Sequence, residues 1–120
     1  MDARHDSASL RVCEEQRGAS VVLRITGDLD AASAVAFARR VRDLVDHGAR
    51  FFVFDCRDLN YIASAGLGVF VSHKDEVYAA GGRFTFFGLR PKVADVFRML
   101  GLTAFFTFVD TESEALAQAA

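Results

Sequence analysis

Tryptophan is absent from this 120-residue chain, Pro91 is its single proline, and Cys13 and Cys56 are its only cysteines. A lone cysteine pair without a secretory signal reads as two reduced thiols rather than a disulfide framework. With His5, His47 and His73 scattered among them, the cysteines make no zinc spacing, and no metal site is expected. Basic residues are not in excess: 14 Lys and Arg face 16 Asp and Glu, for a net charge of −2. A dominant nucleic-acid face is thereby excluded, because phosphate neutralisation needs a basic surplus. No apolar run approaches the roughly 18 residues of a membrane span, and Phe51-Phe52-Val53-Phe54 is far too short. The start, MDARHDSASL, is polar and lacks the apolar segment of a signal peptide. A cytoplasmic protein without membrane attachment is expected.

What the chain does have is apolar mass. Hydrophobic residues make up 52% of it and twelve residues are Phe, which argues against disorder. The length suits one domain able to bury a core without staples. Residues 1–8 read as a flexible N-terminal tail and 9–120 as the domain.

Leu10 to Glu14 and Val21 to Thr26 read as strands around a turn at Arg17-Gly18-Ala19. Asp30 is placed to cap the helix that follows, in which Phe37, Val41, Leu44 and Val45 form an apolar stripe up to Gly48. Phe51 to Asp55 has the continuous apolar character of a central strand, with Asp58 to Ala63 as its connection. A second helix is expected from Ser64 to Ala80, with Leu67, Phe70, Val71, Val77 and Tyr78 inward. Arg83 to Phe87 is a strand, Pro91 opens a third helix carrying Val93, Val96, Phe97 and Leu100, and Ala104 to Val109 is a last strand. Thr111 and Glu114 form a capping box for a short final helix. The order predicts an α/β fold: a mostly parallel sheet, an antiparallel N-terminal edge strand and about four helices. Nine of the Phe residues fall in strand candidates. If helices cover only one sheet face, alternate Phe side chains lie open and a self-association or partner surface follows.

The segment Tyr61-Ile62-Ala63-Ser64-Ala65-Gly66-Leu67-Gly68 joins a buried strand to a helix. Ser64 would occupy or adjoin the N-cap, facing the free N–H groups of the first turn, where a phosphate would find donors. Small neighbours leave its hydroxyl accessible. The competing structural reading makes Ser64 an ordinary cap and the glycines points of close helix packing. A nucleophile-elbow reading fails on Ile62, which stands where the first Gly belongs. It also lacks a base, since His73 lies more than two turns along the same helix. No Gly-Lys-Ser/Thr follows the glycines to cradle a nucleotide phosphate, and no cofactor is expected. Asp28 and Asp30 end the second strand, on the edge where parallel sheets gather their sites. A Mg²⁺ site from these two acids is a weak reading beside capping and turning.

Gly27-Asp28-Leu29-Asp30, the strand ending in Asp55, and Ile62-Ala63-Ser64-Ala65-Gly66-Leu67-Gly68 resemble a STAS domain of the anti-sigma factor antagonist type. The resemblance runs from about Leu10 to Ala117. It implies a binding module rather than an enzyme, whose partners are an anti-sigma factor serine kinase and a phosphatase that reverses the kinase. It also implies Ser64 as phosphoacceptor, Asp30 as an acidic contact with Asp28 before it, and a partner surface including Ala63, Ala65, Gly66, Leu67 and Gly68. The family usually carries Asp where this chain has Ala63, and often Ser or Thr where it has Ala65. The alternative keeps the fold without the switch, as a constitutive interaction subunit of a transporter or larger signalling complex.

Overall fold

The computed structural model describes residues 8–119 and the backbone of residues 2–6. Six strands form one sheet in the order in which they occur in the chain. They are β1 (Asp2–Asp6), β2 (Leu10–Arg17), β3 (Ser20–Leu29), β4 (Phe51–Ile62), β5 (Arg83–Phe87) and β6 (Thr107–Val109). The pairs β1–β2 and β2–β3 are antiparallel, and β3–β4, β4–β5 and β5–β6 are parallel. Helices α1 (Ala31–Asp46), α2 (Ser64–Ala79) and α3 (Pro91–Met99) make the three parallel crossovers. Each crossover moves one strand over in the same direction. With a common right-handed sense, all three helices must fall on one face.

That face holds the main core. Alternation along β4 and β5 sends Phe52, Phe54, Phe84 and Phe86 into it, where they meet Phe37 of α1, Phe70 of α2 and Phe97 of α3. Phe54, wholly buried, lies at the centre, with ring centroids of Phe70, Phe84 and Phe86 at 4.9, 5.2 and 4.8 Å.

The opposite face is covered by a fourth helix, α4 (Glu112–Leu116), in which Ala115 packs on Val22, Val53 and Phe87. Thr111 caps it, accepting from the Glu114 N–H at 3.2 Å. Beside this small apolar cluster lies an ionic one. Arg24 of β3 donates to Asp55 of β4 (3.1 Å), Glu112 of α4 (2.7 Å) and Glu15 of β2 (3.1 Å). Burial works against charge on Asp55, yet Arg57, its backbone N–H and Arg24 hold the carboxyl below the usual range. Arg24 does the same for Glu112.

Several expectations change. The tail expected over residues 1–8 instead contains β1, paired with β2 from Asp2↔Glu15 to Asp6↔Arg11; Met1 and Ser7 lie outside the described residues. β4 does not stop at Asp55. Its pairing with β3 continues through two register shifts to Leu29↔Ile62, so the expected connection is strand. β5 pairs only as far as Asp55↔Phe87, and the ends of β3 and β4 therefore project past it as a two-stranded ribbon. The last strand begins at Thr107, not Ala104. Phe106 is buried from the preceding turn, while Phe105 is 49% exposed beneath the Lys74 ammonium, 5.0 Å from its ring. Val71 and Leu100, both expected inward, are 39% and 57% exposed. Glycine closure of the helices holds. Gly48, at φ +93°, donates to the Val45 carbonyl and Ala49 to that of Leu44, the paired bonds of a Schellman end.

Candidate functional site

The projecting ribbon delivers two helix starts side by side. β3 runs through Leu29 into Asp30 and α1; β4 runs through Ile62 into Ala63 and α2. The Ala63 N–H donates to the Leu29 carbonyl at 2.9 Å, binding the two junctions together, and α1 packs along α2.

The junctions are capped differently. Asp30 is a full N-cap. Its carboxylate accepts from the Ser33 N–H at 2.8 Å, and the Ser33 hydroxyl closes the box on the Asp30 backbone. Hydrogen bonds from the Ser33 backbone, then from Ser9 and Ser33 side chains, hold the Asp30 carboxyl below its usual range. Asp28 lies in the strand, its N–H donating to the Ser9 carbonyl and its own carbonyl accepting from Ser33 Oγ. In α2 the N-cap is Ala63, extended at φ −89° and ψ 166°, and it offers no side-chain cap. Ser64 is thus the first helical residue and not the cap. The ladder bond from Ala63 to Leu29 keeps residue 63 in extended geometry, and the helix starts after it.

Ser64 is exposed, and among the described residues its hydroxyl makes no hydrogen bond. Exposed Ala65 and Gly68 flank it, Gly68 one turn on and on the same side of the helix. The two glycines do different things. A Cβ on Gly66 would stand 2.6 Å from Leu29 Cγ and 3.0 Å from the Leu29 carbonyl oxygen, so Gly66 lets α2 press onto the end of β3. A Cβ on Gly68 would meet nothing within 4 Å. Packing therefore accounts for Gly66 and leaves Gly68 as open surface. Leu67 is buried and anchors the turn from beneath.

The ribbon thus gathers Asp28, Asp30 and Ala63 at its end, with Ser64, Ala65 and Gly68 on the outer side of the first turns of α2. Val35 on α1 (57% exposed), Tyr61 on β4 (53%) and Val71 on α2 add apolar area that sequence reasoning did not assign. Val35 falls off the Phe37–Val41 stripe, which was the available signal. His73 is elsewhere. It is buried with Nδ1 2.7 Å from the Val69 carbonyl, inside its own helix. Among the described residues no group of His, Cys, Asp and Glu could hold a metal ion, and no helix is long and apolar enough to cross a membrane.

Comparison with known proteins agrees with this geometry. The Bordetella bronchiseptica protein BtrV, whose name places it among the anti-sigma factor antagonists, is 29% identical over 93 residues, covering 78% of this chain and 80% of its own. Among solved structures, the anti-sigma factor antagonist SpoIIAA in its unphosphorylated form superposes with a TM-score of 0.79 at 24% identity, over 90% of this chain and 95% of its own. An anti-sigma factor antagonist from Mycobacterium paratuberculosis gives 0.83 at 19% identity, over 95% and 97%. The fold is that of the anti-sigma factor antagonists. The model of the STAS domain matches residues 11–115, and the chain belongs to that family.

Proposed function

We propose that this domain is an anti-sigma factor antagonist: a cytoplasmic, non-enzymatic binding module that sequesters an anti-sigma factor serine kinase and is switched off when that kinase phosphorylates Ser64. A phosphatase acting on the phosphorylated form restores binding. The observation that carries the reading is the Ser64 hydroxyl, exposed and unbonded in the first turn of α2, beside an open Gly68 that packing does not require. SpoIIAA, solved in both unphosphorylated and phosphorylated forms, supports it by resemblance, with TM-scores of 0.79 and 0.72 to this chain.

The physics of the switch is local. The unmodified surface is small and mostly uncharged: Ala65, Gly68, Val71 and the start of α1. Phosphate adds about −1.5 to −2 charge there. The ionised Asp30 stands at the adjoining helix start, so the new charge adds to one already present. An interface fitted to the neutral surface then faces repulsion and desolvation, and about 1.4 kcal/mol is already tenfold in affinity. Asp28, Asp30, Ala63, Ala65, Gly66, Leu67 and Gly68 are assigned to the partner surface. Among them Gly66 and Leu67 act from beneath, by setting the position of the turn.

Incubation with the cognate kinase and ATP, followed by mass spectrometry, should place a single phosphate on Ser64, and Ser64→Ala should abolish it. Ser64→Asp should weaken partner binding at least tenfold. A phosphate at another residue overturns the switch, and Ser64→Asp binding as tight as wild type favours the constitutive interaction subunit instead.

A further inference from the structure

Away from Ser64, α3 and β6 do not close on each other. A cleft of about 450 Å³ remains between them, within the range of small-molecule sites. Phe86, Phe97 and Phe108 line it, and their rings touch one another at centroid distances of 5.2 to 5.5 Å. Ala94 of α3 contributes only a methyl group on the helix side, and Phe108 is half-buried. The cleft opens beyond the carboxyl ends of β5 and β6, the edge at which open α/β sheets place ligands.

The charge at its mouth has a sign. Arg98 is bonded to Asp95 within α3, so its charge is matched. Asp110, directly after β6, is exposed and makes no hydrogen bond or ion pair among the described residues. The unmatched charge beside the aromatic wall is therefore negative. Aromatic faces also attract cations, and a ring seated against three Phe side chains gains edge and offset contacts.

We propose that this cleft binds a small aromatic amine, its ring against Phe86, Phe97 and Phe108 and its ammonium beside Asp110. The site is independent of the Ser64 surface. The charge preference is modest because Asp110 is exposed: an exposed pair gives roughly threefold to fivefold.

The test is an amide chemical-shift titration of the whole chain with 2-phenylethylamine, 3-phenylpropionate serving as a ring of similar size with the opposite charge. The amine should give saturable shifts at Ala94, Thr103, Val109 and Asp110, with the low-millimolar dissociation constant expected of a ligand this small. The carboxylate should bind at least threefold more weakly. Asp110→Asn should bring the two ligands together, and Ala94→Phe should fill the cleft and remove saturable binding while distant amides stay in place. No saturable shift at the cleft, equal affinity for the two ligands in the wild type, or binding that survives Ala94→Phe overturns the proposal. Should Ala94→Phe fail to fold, Asp110→Asn decides alone: an unchanged preference for the amine refutes the role of Asp110.

Discussion

Replacing Ala63 with Ser should stabilise the domain, because α2 starts without a cap. Ala63 already has the extended backbone of an N-cap, φ −89° and ψ 166°, close to the φ −97° and ψ −175° of Asp30, which does cap α1. No backbone rearrangement is needed for a hydroxyl at residue 63 to accept from the N–H of Ala65 or Gly66. Supplying such an acceptor where Ala stood is worth about 1 kcal/mol, in a range of about 0.5–2. A domain of this length unfolds with an entropy near 250 cal/mol/K, so the gain should raise the melting temperature by about 4 °C. Ala63→Asp should gain somewhat more, because the first turn of α2 holds no acidic residue and the helix dipole favours one there. Asp30→Ala, which removes the existing cap, should fall by a similar amount. Scanning calorimetry at neutral pH on the four proteins measures all of this. The reasoning is refuted if Asp30→Ala is destabilised as expected while both residue 63 variants melt at or below wild type.

The two glycines of α2 should separate cleanly. Gly66→Ala forces a Cβ against the buried Leu29 and should cost about 1–3 kcal/mol in urea unfolding, whereas Gly68→Ala meets open space and should gain up to about 1 kcal/mol from helix propensity. Equal effects of the two substitutions would refute the packing assigned to Gly66. The ionic cluster on the second face predicts acid sensitivity. The carboxyls of Asp55, Glu112 and Glu15 are held below their usual range, so they stabilise the fold above about pH 4, and that contribution is lost as pH falls through their folded values. Glu112→Gln should cost about 1–2 kcal/mol at pH 7 and little at pH 3, and equal losses at both would show that the charge of Glu112 is not what holds α4.

Where side chains carried the information, the fold was legible in the sequence. The helical stripe of Phe37 and Val41, the cap at Asp30 and the alternating Phe residues of β4 and β5 each name a partner surface, and each is used. The misread segments are held by backbone pairing. β1 is a polar edge strand with no apolar face to mark it. The second half of β4, from Arg57 to Tyr61, reads as a loop, because its ladder with β3 runs through register shifts that spoil the alternation. Ala104 to Phe106 has strand composition, yet Phe106 reaches the core from a turn, so burial there does not depend on a ladder. Leu100 fits its helical stripe, but α3 ends at Met99 and leaves it outside. At the candidate site the composition was informative and the offset was not. One residue decides whether Ser64 caps α2 or stands free, and that depends on the ladder bond from Ala63 to Leu29.

The order of the sheet bears on how the chain comes off a ribosome. Every strand pairs only with its neighbours in sequence, so each can join the growing sheet as soon as it is made. Such local assembly favours fast folding. The second face is the exception, because Arg24 and Val22 wait for Glu112 and Ala115, some 90 residues later. At synthesis rates of about 5–20 residues per second, that face stays open for several seconds. During that interval Arg24 and Asp55 serve as gatekeepers, keeping the bare face beside Val22, Val53 and Phe87 charged until its helix arrives.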